Sequence, residues 1–176
     1  MDFFEVVENR HSIRRFQRSQ EIPEEDLNKI LETAIKAPSA GNRQSWDFII
    51  VRDQEIKMQL VKAAFHQSFI AQASVVVVVC ANVERCAIAY GDRGRKLFCI
   101  QDTAAAIQIM LLAITALGYG ACWIGAFNDS AVSEAMKIPE DSGVRPIAII
   151  PIGVPVKIPP ATPRIPLNEL IHHETY

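Results

Sequence analysis

Val75 to Val79 are five consecutive valines. Successive side chains of a strand point to opposite faces, so a run with no polar position has no face to offer to water. β-branching at every position favours extended backbone over helix. The segment is therefore predicted to be a strand covered on both sides, at the centre of a sheet, and the rest of the chain must supply that cover.

The covering elements are legible as amphipathic helices. Asp2 to Asn9 reads as a first short helix. Pro23 opens a clearer one: Glu24, Glu25 and Asp26 suit its positive N-terminus, Leu27, Ile30, Leu31, Ala34 and Ile35 form its apolar stripe, and Pro38 stops it. A further helix is predicted from Asp53 to about Phe65, with Ile56, Leu60, Val61, Ala64 and Phe65 on one face, and a long apolar one from Leu97 to just before Gly118. Asp129 is placed as the cap of a small helix reaching about Lys137. Trp46 to Val51 and Pro146 to Ile152 have strand composition, and Cys122 to Ile124 reads as a short strand or extended turn. Asn82 to Arg95, polar and of mixed charge, is expected to be a surface connection. Val154 to Pro166 holds five prolines and is expected to be an extended arm that needs a surface to lie on. No repeat or domain boundary is visible in the 176 residues, so one α+β domain is expected.

Several function classes are disfavoured at this stage. A net charge of -2 gives no electrostatic footprint for nucleic acid. The N-terminus lacks a basic region and carries Asp2, Glu5 and Glu8, so no export signal is expected. The stretch from Leu97 to Leu117 includes Asp102, Gln101 and Gln108, and a charge is costly inside a bilayer, so it reads as a buried helix and not as a membrane span. Cys80, Cys86, Cys99 and Cys122 lack metal or redox spacing and fit reduced thiols of a cytoplasmic protein. The histidines are dispersed apart from His172 and His173, which are placed on the solvated face of a terminal helix, and no metal site is expected.

Two segments can carry chemistry. In Arg10-His11-Ser12-Ile13-Arg14-Arg15-Phe16, alternate residues of an extended chain point one way, so Arg10, Ser12 and Arg14 can present two guanidiniums and a hydroxyl to one anion. The same spacing equally fits a surface cluster paired with Glu5 and Glu8. In Ala37 to Ser45, the neutral groups of Ser39, Asn42 and Gln44 can read a polar ring edge, or can bond their own backbone in an ordinary turn.

RHSIRRF, APSAGNRQSWDF, QASVVVVVCA, QDTAAAIQ, LGYGACWIGAF and the proline-rich tail from Ile152 occur in an order that resembles the flavin mononucleotide (FMN)-dependent nitroreductases along nearly the whole chain. The resemblance implies an α+β fold with a central, mostly antiparallel sheet flanked by helices and an extended C-terminal arm. It implies a homodimer with two FMN sites at the interface, NAD(P)H as electron donor, and a small oxidant such as a nitroaromatic, a quinone or a flavin as acceptor. Arg10, Ser12 and Arg164 match positions that hold the phosphate, with His11 in the same stretch; Arg14 matches a basic residue near the flavin N1 and C2 carbonyl. Pro38, Ser39, Ala40 and Asn42 match a loop donated by the partner subunit, with Gln44 beside it. Gln67 is placed as a ring contact, and Ile124, Gly125 and Ala126 match a strand-end segment facing the flavin N5 and O4.

No side-chain base is needed in such a site, because the flavin carries the hydride while the protein positions and tunes it. A ping-pong cycle follows as an expectation; a flavin store or sensor without turnover is the alternative. The chain is shorter than many members, which carry a lid. Asn82 to Arg95 is the candidate for that role, with Tyr90, Arg93 and Arg95 either meeting substrate or simply solvated.

Overall fold

A computed structural model describes residues 1–176. Strand β2 (Val75–Asn82) contains the valine run, and all five valines have no exposed surface. It pairs antiparallel with β1 (Trp46–Val51) on one side, Ile49 opposite Val78, and with β4 (Val144–Gly153) on the other, Val78 opposite Ile149. The two-residue strand β3 (Gly120–Ala121) completes an antiparallel sheet of order β1-β2-β4-β3. Against β4 the register of β2 shifts between Val79 and Cys80, whose partners are Ala148 and Pro146. Ile147 is the extra residue, a bulge beside the proline that cannot donate to a ladder.

Alternation along β2 divides the core. Val75, Val77 and Val79 pack with Ala148, Ile150 and Ile152 against α2 (Glu24–Ala34) and α5 (Cys99–Ala116). Val76, Val78 and Cys80 face α3 (Gln54–Ala63) and α6 (Asp129–Ala135). The helices thus sandwich the sheet, as the valine run requires. Helix α1 (Phe3–Asn9) leads into the RHSIRRF segment and is capped at its N-terminus by a reciprocal capping box: Glu5 N–H donates to the Asp2 side chain, and Asp2 N–H donates to the Glu5 side chain.

Five expectations need correction. Asn82 to Arg95 is not a loop: Asn82 caps helix α4 (Val83–Arg93), accepting from Arg85 N–H at 3.1 Å, and a π turn over Gly94–Phe98 joins it to α5. Only Cys86 and Ala87 of α4 are buried, which leaves too thin a stripe to read. The helix after Asp53 stops at Ala63; Phe65 and His66 turn left-handed (φ 52° and 63°), and Phe65 points outward, 65% exposed. The cap of α6 is Asn128, which accepts from Ala131 N–H at 2.9 Å; Asp129 is the first helical residue and the helix ends at Ala135. No helix surrounds His172 and His173; the tail has a single 3-10 turn at Leu167–Glu169. The strand near residue 122 is Gly120–Ala121, with Ile124 bridged singly to Ile149.

The helical stretch Val83–Ala116 is long and apolar enough to cross a bilayer. Within this fold its inner face, Thr103 to Ile114, packs on β2 and α2, and the carboxylate of Asp102 is buried in hydrogen bonds.

Candidate functional site

Arg10 to Phe16 runs extended along the end of the sheet. Ile13 and Phe16 turn inward and are buried, while Ile13 N–H donates to Ala121 O at 2.8 Å and Gln17 N–H to Val154 O at 2.9 Å. Val156 N–H donates back to Arg15 O at 3.0 Å, fixing the start of the arm on the same segment. With the apolar residues committed inward, Arg10, Ser12 and Arg14 line a cleft of about 700 Å³. His11 and Glu8 share its wall, and the arm closes the far side through Pro159 to Thr162 and Arg164.

The counter-ions bear on the choice between an anion site and a paired surface cluster. Five ion pairs form in the chain, Arg52–Glu24, Arg85–Asp47, Arg95–Glu84, Lys96–Asp92 and Arg145–Asp129, and none includes Arg10, Arg14 or Arg164. Glu5 is engaged in its capping box. Three guanidiniums and the Ser12 hydroxyl thus line one cleft without an ion pair, although Glu8 shares its wall, and guanidinium forks of this kind suit anionic oxygens. Burial pushes the Cys122 thiol up against a lowering pull from Arg14 and Ser12, which lie beside it. Arg14 therefore stands at the sheet end of the cleft, whereas Arg164 comes from the arm.

A second group lies further along the edge of β4, where Ile124 is bridged to Ile149; Gln67, Ile124, Gly125 and Ala126 do not line the cleft of Arg10 and Arg164. Gln67 donates to Ala126 O at 3.2 Å and to Ala64 O at 3.1 Å, which joins it to the Ile124–Ala126 segment. Ile124 is buried, and Gly125 is exposed with open space where a side chain would stand.

Pro38, Ser39, Ala40, Asn42 and Gln44 do not line this cleft in their own chain. Their loop contains a 3-10 turn, Ala40–Asn42, and Ser39 Oγ accepts from Gln44 N–H at 2.9 Å, so Ser39 does the turn chemistry its composition allows. Pro38, Asn42 and Gln44 are exposed. Two residues that the motif reading passed over hold this loop. Asp102, noted in the sequence only as a charge inside an apolar stretch, accepts from Ala40 N–H at 2.9 Å and from the Ser45 hydroxyl at 2.7 Å. Arg85 donates to Gln44 O at 2.8 Å and Trp46 O at 3.1 Å. Tyr90 and Arg93 gather on the Phe98 ring, Tyr90 edge-on with centroids 5.2 Å apart and the Arg93 guanidinium 5.2 Å from the centroid; Arg95 is paired with Glu84.

Fold and cleft together define an α+β protein with a cleft lined by Arg10, Ser12, Arg14 and Arg164 beside the end of its sheet. The sequence profile of the nitroreductase family matches residues 7–68 and 58–154. A protein of Methanothermobacter thermautotrophicus that carries the provisional name NADH dehydrogenase/NAD(P)H nitroreductase is 33% identical over 165 residues, 90% of this chain and 80% of the relative. The FMN reductase (NADPH) of Bacillus subtilis is 26% identical over 185 residues, 98% of this chain and 73% of that protein. The solved NADPH:FMN oxidoreductase of Vibrio harveyi, complexed with NAD+, superposes with a TM-score of 0.89 at 25% identity, covering 99% of this chain and 77% of that one. The chain belongs to the nitroreductase family.

Proposed function

We propose that the protein is an FMN-dependent oxidoreductase that takes electrons from NAD(P)H and passes them to a small oxidant, a nitroaromatic, a quinone or a flavin. The observation that carries this reading is the cleft of Arg10, Ser12, Arg14 and Arg164, three cations free of carboxylate partners around one hydroxyl. Its volume, about 700 Å³, lies within the range of small-ligand and cofactor pockets, and its charge suits a dianionic phosphate ester. The relatives named for FMN reduction support the same cofactor and donor.

When bound, FMN supplies the hydride chemistry, so the protein's share is to bind, orient and tune. Arg10, Ser12 and Arg164 hold the phosphate, and His11 lines the same wall. Arg14, at the sheet end beside Cys122, would supply a cation for the N1 and C2 carbonyl edge and favour negative charge there. The backbone of Ile124, Gly125 and Ala126, where Gln67 donates to Ala126 O, would meet the N5 and O4 side of the ring. No buried side-chain base is required.

The remaining contacts come from a second copy of the chain. Pro38, Ser39, Ala40, Asn42 and Gln44 complete the partner's site in a homodimer, which accounts for their distance from the cleft of their own chain. The arm beyond Val156 supports the dimer, because Ile158, Ile165, Leu167 and Leu170 are all more than half exposed and find no cover within the chain. Four unpaired thiols suit a cytoplasmic setting.

The test is steady-state NAD(P)H oxidation with a quinone or nitroaromatic acceptor, varying both substrates. Parallel double-reciprocal lines are expected from donor and acceptor using one site in turn. Intersecting lines contradict the ping-pong cycle, and no turnover with any acceptor contradicts the enzyme.

A further inference from the structure

Asp102 is the one buried carboxylate in the chain, 5% exposed. Removing a carboxylate from water is costly unless it is well bonded, and no cation pairs with this one. Both its oxygens are spent on the two ends of the Ala40–Ser45 loop, the Ala40 N–H at 2.9 Å and the Ser45 hydroxyl at 2.7 Å. Between those ends the backbone is left-handed at Gly41 (φ 54°), Asn42 (φ 56°) and Gln44 (φ 50°). Glycine and asparagine visit that region readily and glutamine does not, so the conformation persists only where its surroundings over-determine it. Further restraints converge on the same few atoms: Arg85 on Gln44 O, Asn82 N–H on Ser45 O at 3.0 Å, and the Tyr90 hydroxyl against Gly41, where a Cβ would stand 2.6 Å away.

We propose that Asp102 is a positioning residue for the FMN site of the partner subunit: from α5 of one chain it sets the loop that completes a cofactor site whose phosphate cradle belongs to the other. This rests on the reading of Ser39 to Asn42 as the partner-donated part of an FMN site. The helix then links the two subunits, because the geometry of a cofactor contact in one is held by a buried acid of its neighbour. Asp102 touches no ligand and acts only through Ala40 and Ser45.

FMN affinity, read by quenching of flavin fluorescence, tests the idea in graded variants. Asp102→Ala leaves the Ala40 N–H and the Ser45 hydroxyl without acceptors and is expected to weaken FMN binding about tenfold or more. Asp102→Asn, which keeps an acceptor for Ala40 N–H, and Ser45→Ala, which removes only the hydroxyl, are expected to weaken it a few-fold while retaining the wild-type circular dichroism. Those milder variants carry the test if Asp102→Ala does not fold; wild-type affinity in both overturns the proposal.

Subunit assignment is read from heterodimers isolated through two affinity tags, one chain carrying Asp102→Asn and the other Arg10→Ala. Action across the interface puts both substitutions in one site and neither in the other, so one FMN per dimer binds with wild-type affinity. Action within a subunit leaves both sites impaired and overturns the proposal. A wild-type protein that takes no FMN at all overturns the functional reading itself, and is recognised before any variant is compared.

Discussion

Gly120 lies directly against Ile13: a Cβ on the glycine would stand 2.6 Å from Ile13 Cγ1 and 2.9 Å from Ile13 Cβ. This close approach lets the RHSIRRF segment lie flat on β3, with Ile13 N–H bonded to Ala121 O, and so aims Arg10, Ser12 and Arg14 away from the core. Gly120→Ala is expected to push the segment outward, lowering stability by about 1–3 kcal/mol through overpacking. FMN affinity should fall with it, although no ligand-facing group is removed. Thermal melting and FMN titration of the variant check both effects; unchanged values in both would mean that the segment has slack.

Alkaline pH should unfold the protein through its buried thiols. Burial, with a smaller contribution from the Asp47 charge, pushes Cys80 from 9.0 up to about 12. Its folded value lies above its unfolded one, so the stability it contributes is fully present below pH 9 and is lost as pH rises toward 12. There the unfolded state releases the proton and the folded state retains it, with a slope of up to about 1.4 kcal/mol per pH unit. The Cys86, Cys99 and Cys122 thiols are also pushed up by burial, and Tyr119 to about 12, chiefly by its hydrogen bond to Asp26. The difference between wild type and Cys80→Ala isolates one thiol. Urea unfolding from pH 8 to 11 should give a shallower decline for the variant; parallel declines would remove Cys80 from the account.

The arm separates two contributions. Up to Val156 it is hydrogen-bonded to Arg15 and Gln17, whereas from Lys157 onward almost every residue is exposed. Deleting 158–176 is therefore expected to change the melting temperature of an isolated chain little, while weakening dimerisation and, through loss of Arg164, FMN binding. Sedimentation across a concentration series, with and without FMN, measures this. A truncated protein that dimerises as wild type would place the interface elsewhere.

What could be read from the sequence follows from how local each signal is. The valine run specified a two-faced strand because every residue carries the same message. The alternation of Arg10, Ser12 and Arg14 was visible, but whether those arginines were paired depended on where Glu5 and Glu8 pointed. Helix α4 is not legible because just two of its side chains are buried. The left-handed turn at Phe65 and His66 has no glycine to announce it. Asp102 stood out as a charge in an apolar helix, yet its role needed the Ala40–Ser45 loop folded back across more than fifty residues of sequence.

Arg14 and the phosphate cradle should separate in their effects. Arg14→Ala is expected to retain FMN with affinity lowered less than about tenfold, while the cofactor is reduced less readily because a cation is lost beside the ring. A spectroelectrochemical titration should show a more negative midpoint potential than wild type. An unchanged potential, or complete loss of FMN in a folded protein, would contradict the role given to Arg14.

The central claim, that Arg10, Ser12, Arg14 and Arg164 form an FMN site, is tested most directly by the visible absorption spectrum of purified wild-type protein reconstituted with FMN and freed of excess cofactor. The account predicts a yellow protein with one FMN per chain, and loss of that colour in a folded Arg10→Ala, Arg164→Ala double variant. A wild-type protein that remains colourless after reconstitution would contradict it.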